Sequence, residues 1–224
     1  TGVALAQIAV RLMMGETIEQ LREASIVPTG APAPGYVCVK EAVLPFNRFP
    51  GVDTVLGPEM RSTGEVMGIG ESFGIAFAKA QLAAGSRLPD TGQVFMSLAD
   101  RDKVHGLELA RQLVELGFSL AATVGTAGYL RANHVPVATL VGKVGPADLG
   151  LDAVSMIASG QVHLVVNTPS GGGARADGAL IRSACVVNAV PCLTTLSAGF
   201  AAAKGIADTR ERGWRVHSLQ ELHG

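Results

Sequence analysis

Aromatic side chains are scarce in this chain: Phe, Tyr and Trp make up 4% of 224 residues, with a single Trp. That scarcity argues against an aromatic-rich binding module. Charge of one sign is also lacking, because 18 Lys and Arg offset 19 Asp and Glu to leave a net charge of −1. With no basic block to track a phosphate backbone, nucleic acid is not an expected partner. Cysteine is limited to Cys38, Cys185 and Cys192, an odd count without CxxC spacing. A disulfide framework does not fit, and the expectation is buried, reduced thiols in a cytosolic protein. No apolar run reaches the about 20 residues that a membrane span needs, so no membrane partner is expected. No charged-then-apolar leader is visible and the chain opens on Thr1. The expectation is a piece of a longer cytoplasmic protein.

What is present is small and apolar. Apolar residues are 48% of the chain, enough for a real core. The length allows one large or two small domains. Residues 3–14 (VALAQIAVRLMM) carry apolar side chains at helical spacing; Gly15 stops that helix, and Thr17 is placed to cap a short one after it. PTGAPAPG, residues 28–35, reads as a stiff connector. YVCVKEAVLPF, residues 36–46, has strand-like content, ended by Pro45, and a loop rich in Gly and Pro follows. Residues 71–84 read as a helix closed by Gly85, and SRLPDTG, residues 86–92, as a linker.

Beyond residue 92 the pattern becomes a regular alternation. Strands are expected at 93–98, 118–122, 136–141, 162–167 and 190–194, with a further candidate at 214–218. Helices are expected at 101–116, 126–133, 147–159, 178–189 and 197–206. Short apolar strands alternating with helices predict an α/β fold: a doubly wound parallel sheet of about five strands, covered on both faces. Ligands of such sheets gather beyond the carboxyl ends of the strands.

Four clusters fall at those ends. TVGTAG, Thr123–Gly128, follows a strand and opens a helix, so free N–H groups of the first helical turn face outward with partial positive charge. Thr123 and Thr126 add hydroxyls, and Gly125 lets a ligand approach; no GKS or GKT follows, so this is not a Walker A loop. Ser97 and Lys103 follow the first strand, Lys143 the third, and NTPSGGG, Asn167–Gly173, the fourth. Ser97, Lys103, Thr123, Thr126, Lys143, Asn167, Thr168 and Ser170 thus share one rim. Two cations, a helix N-terminus and many hydroxyls suit a phosphorylated small molecule.

Two stretches carry resemblances. VKEAVLPFNRFPGVDTVLGPEMRSTGEVMG, residues 39–68, resembles a segment near the C-terminal end of the synthetase half of carbamoyl-phosphate synthase large subunits. The four clusters, with DGALIRSA (Asp177–Ala184) and VPCLTTLSAGFA (190–201), resemble in content and order the methylglyoxal-synthase-like domain that forms the C-terminal regulatory part of the same subunits. The resemblance implies that residues 1–90 are the C-terminal part of an ATP-grasp synthetase domain, an α+β remnant, and that 91–224 are the methylglyoxal-synthase-like allosteric domain. It implies a parent ligase that makes carbamoyl phosphate from bicarbonate, glutamine-derived ammonia and two ATP, with Mg or Mn, for arginine and pyrimidine synthesis. Its partners would be the rest of the large subunit and a glutaminase small subunit.

By the same resemblance Ser97, Lys103, Thr123, Gly125, Thr126, Lys143, Asn167 and Thr168, with the adjacent Ser170, hold the phosphate of a UMP or IMP effector. Glu41 and Thr194 match contacts of an ornithine pocket. Three departures stand out: Val124 where members often carry His, Pro169 for a frequent Thr, and Cys192-Leu193 for a Tyr-Asp pair.

No catalytic residue, cofactor or metal is expected within the chain itself. Residues 1–90 scatter their carboxylates and lack the spaced Glu-x-Asn arrangement of an ATP-grasp metal site. Arg61 can approach a phosphate or anchor its loop through Glu59 or Glu65. Two alternatives are a stand-alone lyase like methylglyoxal synthase, for which Asp148 is the nearest carboxylate base, and a structural tail without an effector.

Overall fold

The computed structural model describes residues 3–30, 35–43, 64–142, 152–168 and 174–223. In chain order the elements are α1 (Leu5–Met13), α2 (Ile18–Glu23), β1 (Val37–Val43), β2 (Gly64–Gly70), α3 (Phe73–Ala83), β3 (Gln93–Ser97), α4 (Lys103–Glu115), β4 (Ser119–Thr123), α5 (Val124–Ala132), β5 (Thr139–Val141), α6 (Ala153–Ala158), β6 (Leu164–Asn167), α7 (Ala174–Val187), β7 (Cys192–Leu193), α8 (Leu196–Arg212) and α9 (Leu219–His223).

β3 to β7 form an all-parallel five-stranded sheet in the order β5-β4-β3-β6-β7. Its register explains the near-continuous apolar runs. Val94 and Met96 point to one face, where Leu109 and Leu113 of α4, Leu130 of α5 and Ala202 of α8 pack on them. Phe95, between them, points to the other face with Ala121 and Val165, against Met156 and Ile157 of α6 and Ile181 of α7. Strands buried on both sides need helices on both sides, and this chain supplies them. The chain leaves β3 toward β4 on one side and returns to β6 on the other. A crevice therefore opens beyond the carboxyl ends of these strands.

Two compact units divide the chain: residues 1–37 with 215–224, and 38–214. In the smaller unit Thr17 caps α2 in a reciprocal box, its Oγ1 accepting from Gln20 N–H while its own N–H donates to Gln20 Oε1. Arg11 pairs with Glu16 at 2.7 Å after Gly15 turns the chain at φ 102°. Leu5, Val10, Met13, Met14 and Ile18 are exposed apolar side chains.

In the larger unit β1 pairs with β2, and α3 packs on both β2 and α8. The contacts are close enough to demand glycine. A Cβ on Gly68 would lie 1.9 Å from the Ala76 carbonyl oxygen, and one on Gly74 would lie 2.4 Å from Asp208 Oδ2. Ser72 caps α3 and donates to Asp208 Oδ2 at 2.5 Å, while Lys204 Nζ pairs with Asp208 Oδ1 at 2.7 Å. Asp208 is 1% exposed and sits at the positive end of α3, so charge, cap and close packing agree. Leu88, within the stretch read as a linker, packs against the sheet's core.

The structure corrects several expectations. No strand forms at 214–218; the chain runs irregularly from Gly213 to His217, with Val216 fully out in solvent. Alternation alone does not make a strand, which also needs a partner strand to pair with. β2 falls where no element was expected, because the three glycines of GEVMGIG dilute the strand signal of Val66 and Ile69, while Gly68 and Gly70 are what lets α3 approach. β5 starts at Thr139 rather than 136, since His134 takes a left-handed φ of 63° and the turn consumes the residues after it. α8 runs on to Arg212. Cys38 is exposed rather than buried, standing on the outward phase of β1.

Candidate functional site

A cavity of about 340 Å³ occupies the crevice at the carboxyl ends of β3, β4, β5 and β6. That volume lies within the range of small-molecule sites. Seven of the expected residues line it: Ser97, Lys103, Thr123, Gly125, Thr126, Asn167 and Thr168. Lys143 and Ser170 lie outside the described residues, as do Pro169, Asp148 and Arg61. Glu41 lies on β1 and Thr194 just after β7, and neither lines the cavity. Glu41 accepts from Gln81 Nε2 at 2.7 Å; burial raises its pKa and that hydrogen bond opposes the rise.

The threonines do work that spacing alone does not reveal. Thr126 Oγ1 accepts from the Leu98 N–H at 3.0 Å and from the Thr123 hydroxyl at 3.1 Å. Thr168 Oγ1 accepts from the Ala99 N–H at 2.9 Å, and its backbone N–H donates to the Ser97 carbonyl at 2.9 Å. These bonds tie the turn after β3 to the ends of β4 and β6 and so shape the cavity wall. With both acceptor sites of Thr126 taken, its own O–H is left as a donor.

Because the Thr123 hydroxyl turns to Thr126, it does not cap α5, and among the described residues no other side chain does. The first turn of α5, Val124 to Thr126, lines the cavity, and its N–H groups have no side-chain cap among the described residues, with the helix dipole behind them. Lys103, the first residue of α4, brings its ammonium beside this turn. Its Nζ lies 3.6 Å from where a Cβ on Gly125 would sit. The Lys103 side chain is 18% exposed and pairs at 2.6 Å with Asp100, whose own side chain is 96% exposed. Across the cavity Asn167 is 5% exposed, and its Nδ2 has no hydrogen-bond partner among the described residues. A buried donor left unpaired costs about 1–3 kcal/mol, which a ligand oxygen would recover.

α7 supplies a wall that sequence reasoning missed: Asp177, Gly178 and Ile181. The signal was present in the DGALIRSA motif, which opens on the acid, but only the fold brings the first turns of α7 over β6. Asp177 adds a hydroxyl acceptor to a cavity otherwise rich in donors. Among the described residues no three His, Cys, Asp or Glu side chains gather to hold a metal ion, and no helix is long and apolar enough to cross a membrane.

Comparison with known proteins gives the chain its relatives. The family described as MGS-like domain matches residues 105–194. The carbamoyl phosphate synthase large chain of Rubrobacter xylanophilus is 50% identical over 100% of this chain and 20% of its own length. That of Micrococcus luteus is 47% identical over 99% of this chain and 21% of its own length. The protein of Methanocaldococcus jannaschii called "Carbamoyl phosphate synthase large chain, C-terminal section" is 44% identical over 99% of this chain and 36% of its own length. The chain thus spans about a fifth to a third of these relatives. From end to end it is similar to the C-terminal region of carbamoyl phosphate synthase large chains, and the match to the MGS-like domain spans most of its five-stranded parallel sheet.

Proposed function

We propose that this chain is the regulatory part of a carbamoyl phosphate synthase large chain and that its cavity binds the phosphate of a nucleoside monophosphate, UMP or IMP. The observation that carries this reading is the convergence, in one cavity, of the Lys103 ammonium, the uncapped α5 N-terminus and the unpartnered Asn167 amide. All three favour an anionic oxygen and none satisfies another. Lys103 contributes a point charge that a phosphate would share with, or take from, the exposed Asp100. Asp177, on the α7 wall, suits the hydroxyls of a ribose. Lys143 and Ser170 complete the proposed phosphate contacts. Glu41 and Thr194 are proposed for a separate ornithine pocket.

The division into a synthetase part, 1–90, and a sensor part, 91–224, belongs to the same proposal. So do the cytoplasmic location, the glutaminase partner, and the ATP and Mg or Mn of the whole enzyme; the chain itself is proposed to catalyse nothing. Binding would then act on the distant synthetase as a coupling free energy between states.

The test is isothermal titration calorimetry of the 224-residue chain with UMP and IMP, repeated on Lys103→Met. Saturable heat that vanishes in the variant supports the reading. Equal heat in both proteins, or none in either, rejects it.

A further inference from the structure

The ammonium at the centre of the proposed phosphate contact already holds an anion of the chain itself. Lys103 Nζ pairs with Asp100 Oδ1 at 2.6 Å, and both residues line the cavity. The two ends of this pair have different surroundings. The Lys103 side chain is largely enclosed, beside the first turn of α5, whereas the Asp100 side chain stands in solvent and keeps its hydration.

The backbone under Asp100 is held by other bonds. The Leu98 N–H donates to Thr126 Oγ1 and the Ala99 N–H to Thr168 Oγ1. Asp100–Asp102 then form one turn of 3-10 helix, with the Asp102 N–H donating to the Ala99 carbonyl at 2.9 Å. None of these bonds uses the Asp100 carboxylate. That group can therefore leave Lys103 by rotating about its own side-chain bonds while the cavity wall stays in place.

We propose that Asp100 is a tethered competitor of the cavity's anion: its carboxylate holds the Lys103 ammonium and gives it up to the anionic oxygen of a ligand, so the pair is an autoinhibitory contact that sets the affinity. The proposal rests on the anion-binding reading above and adds that the ligand displaces Asp100 instead of sharing Lys103 with it. A carboxylate and a phosphate on one ammonium stand close enough to repel each other strongly, and of the groups in contact Asp100 is the one with water to move into. An exposed ion pair is weak, but a partner on the same chain faces no dilution, so every anion that enters must displace it. The cavity then binds more weakly than it would with a neutral residue at position 100.

Asp102 supplies the control. It carries the same charge two residues on, pairs with Arg101 at 3.7 Å, and does not line the cavity. The test titrates UMP calorimetrically into the 224-residue chain and into its Asp100→Asn, Asp102→Asn and Lys103→Met variants. The salt is about 0.15 M, where exposed charges are screened beyond about 8 Å. Asp100→Asn is expected to bind at least about threefold more tightly than the parent, within the range that an exposed ion pair contributes. Asp102→Asn is expected to stay within about 1.5-fold of the parent, since its charge lies off the cavity. Lys103→Met separates this proposal from the reading beneath it. Binding that Lys103→Met abolishes but Asp100→Asn fails to tighten leaves the anion site standing and overturns the competitor. An equal gain in Asp100→Asn and Asp102→Asn also overturns it, because net charge alone would then account for the effect. No binding by any of the four proteins overturns both.

Discussion

Replacing Thr126 by Val tests whether its hydroxyl holds the cavity wall. The side chain is 1% exposed and keeps nearly the same shape, so little packing is lost. What is lost is an acceptor for two donors, the Leu98 N–H at 3.0 Å and the Thr123 O–H at 3.1 Å. Leu98 is buried, and its N–H has no water to turn to; an unpaired buried donor costs about 1–3 kcal/mol. The Thr123 hydroxyl faces the cavity and can rotate, so it adds a few tenths at most, for a total of about 2 kcal/mol. In a chain of this size that lowers the melting midpoint by about 4–8 °C. Thr126→Ser provides the contrast. It keeps the acceptor and removes one methyl, worth about 1 kcal/mol. Urea titrations followed by circular dichroism, read at constant m, measure both. The reasoning requires Val to be worse than Ser. A Thr126→Val protein within 0.5 kcal/mol of the parent, or a Ser variant that loses more, would refute it.

Other expectations follow from the same contacts. Burial pushes the Asp208 carboxyl up, but hydrogen bonds from Lys204 and Ser72 and the charges of Lys204 and Arg212 outweigh it and hold its pKa below the ordinary value. Its stabilising effect is therefore complete above pH about 4 and is lost as pH falls through the lower, folded-state value, so the deficit of Asp208→Asn should be full at pH 7 and shrink toward pH 2. Glu41 has the opposite sign. Burial raises its pKa, its ionised form opposes folding, and Glu41→Gln should gain stability at pH 7, a gain that disappears below pH about 4; a gain that persisted in acid would implicate packing instead. Gly74→Ala should destabilise the larger unit by more than about 2 kcal/mol, since its Cβ would meet Asp208 Oδ2 at 2.4 Å; a neutral effect in urea titration would mean that α3 and α8 can separate. Incubation with dihydroxyacetone phosphate should yield no methylglyoxal in a colorimetric assay, and turnover would favour the lyase alternative.

The sheet was readable because strands buried on both faces carry uninterrupted apolar cores, VFM in β3, LAA in β4 and LVV in β6. β3, β4 and β6 were placed within two residues at either end. The clustering of Ser97, Lys103, Thr123 and Asn167 was readable for a related reason. In a parallel sheet every strand delivers its following loop to the same rim, so chemistry scattered in sequence converges in space. Bonds across elements were not readable. Nothing in TVGTAG says that Thr126 receives the Leu98 N–H, or that Thr168 receives the Ala99 N–H, because these contacts depend on the strand order. Gly68 marked no strand, since its value lies in a helix that crosses above it. WRVHS alternates like a strand, yet takes no strand conformation. Cys38 sat in an apolar run whose outward phase could not be told from its inward one.

The anion-holding cavity is tested most directly by titrating the chain with UMP and with uridine under identical conditions. Phosphate capture at Lys103, Asn167 and the α5 N-terminus predicts saturable heat for the nucleotide and at least about a tenfold weaker response for the nucleoside, equivalent to one charge-assisted hydrogen bond. Equal binding of the two, with IMP no better than inosine, would contradict it.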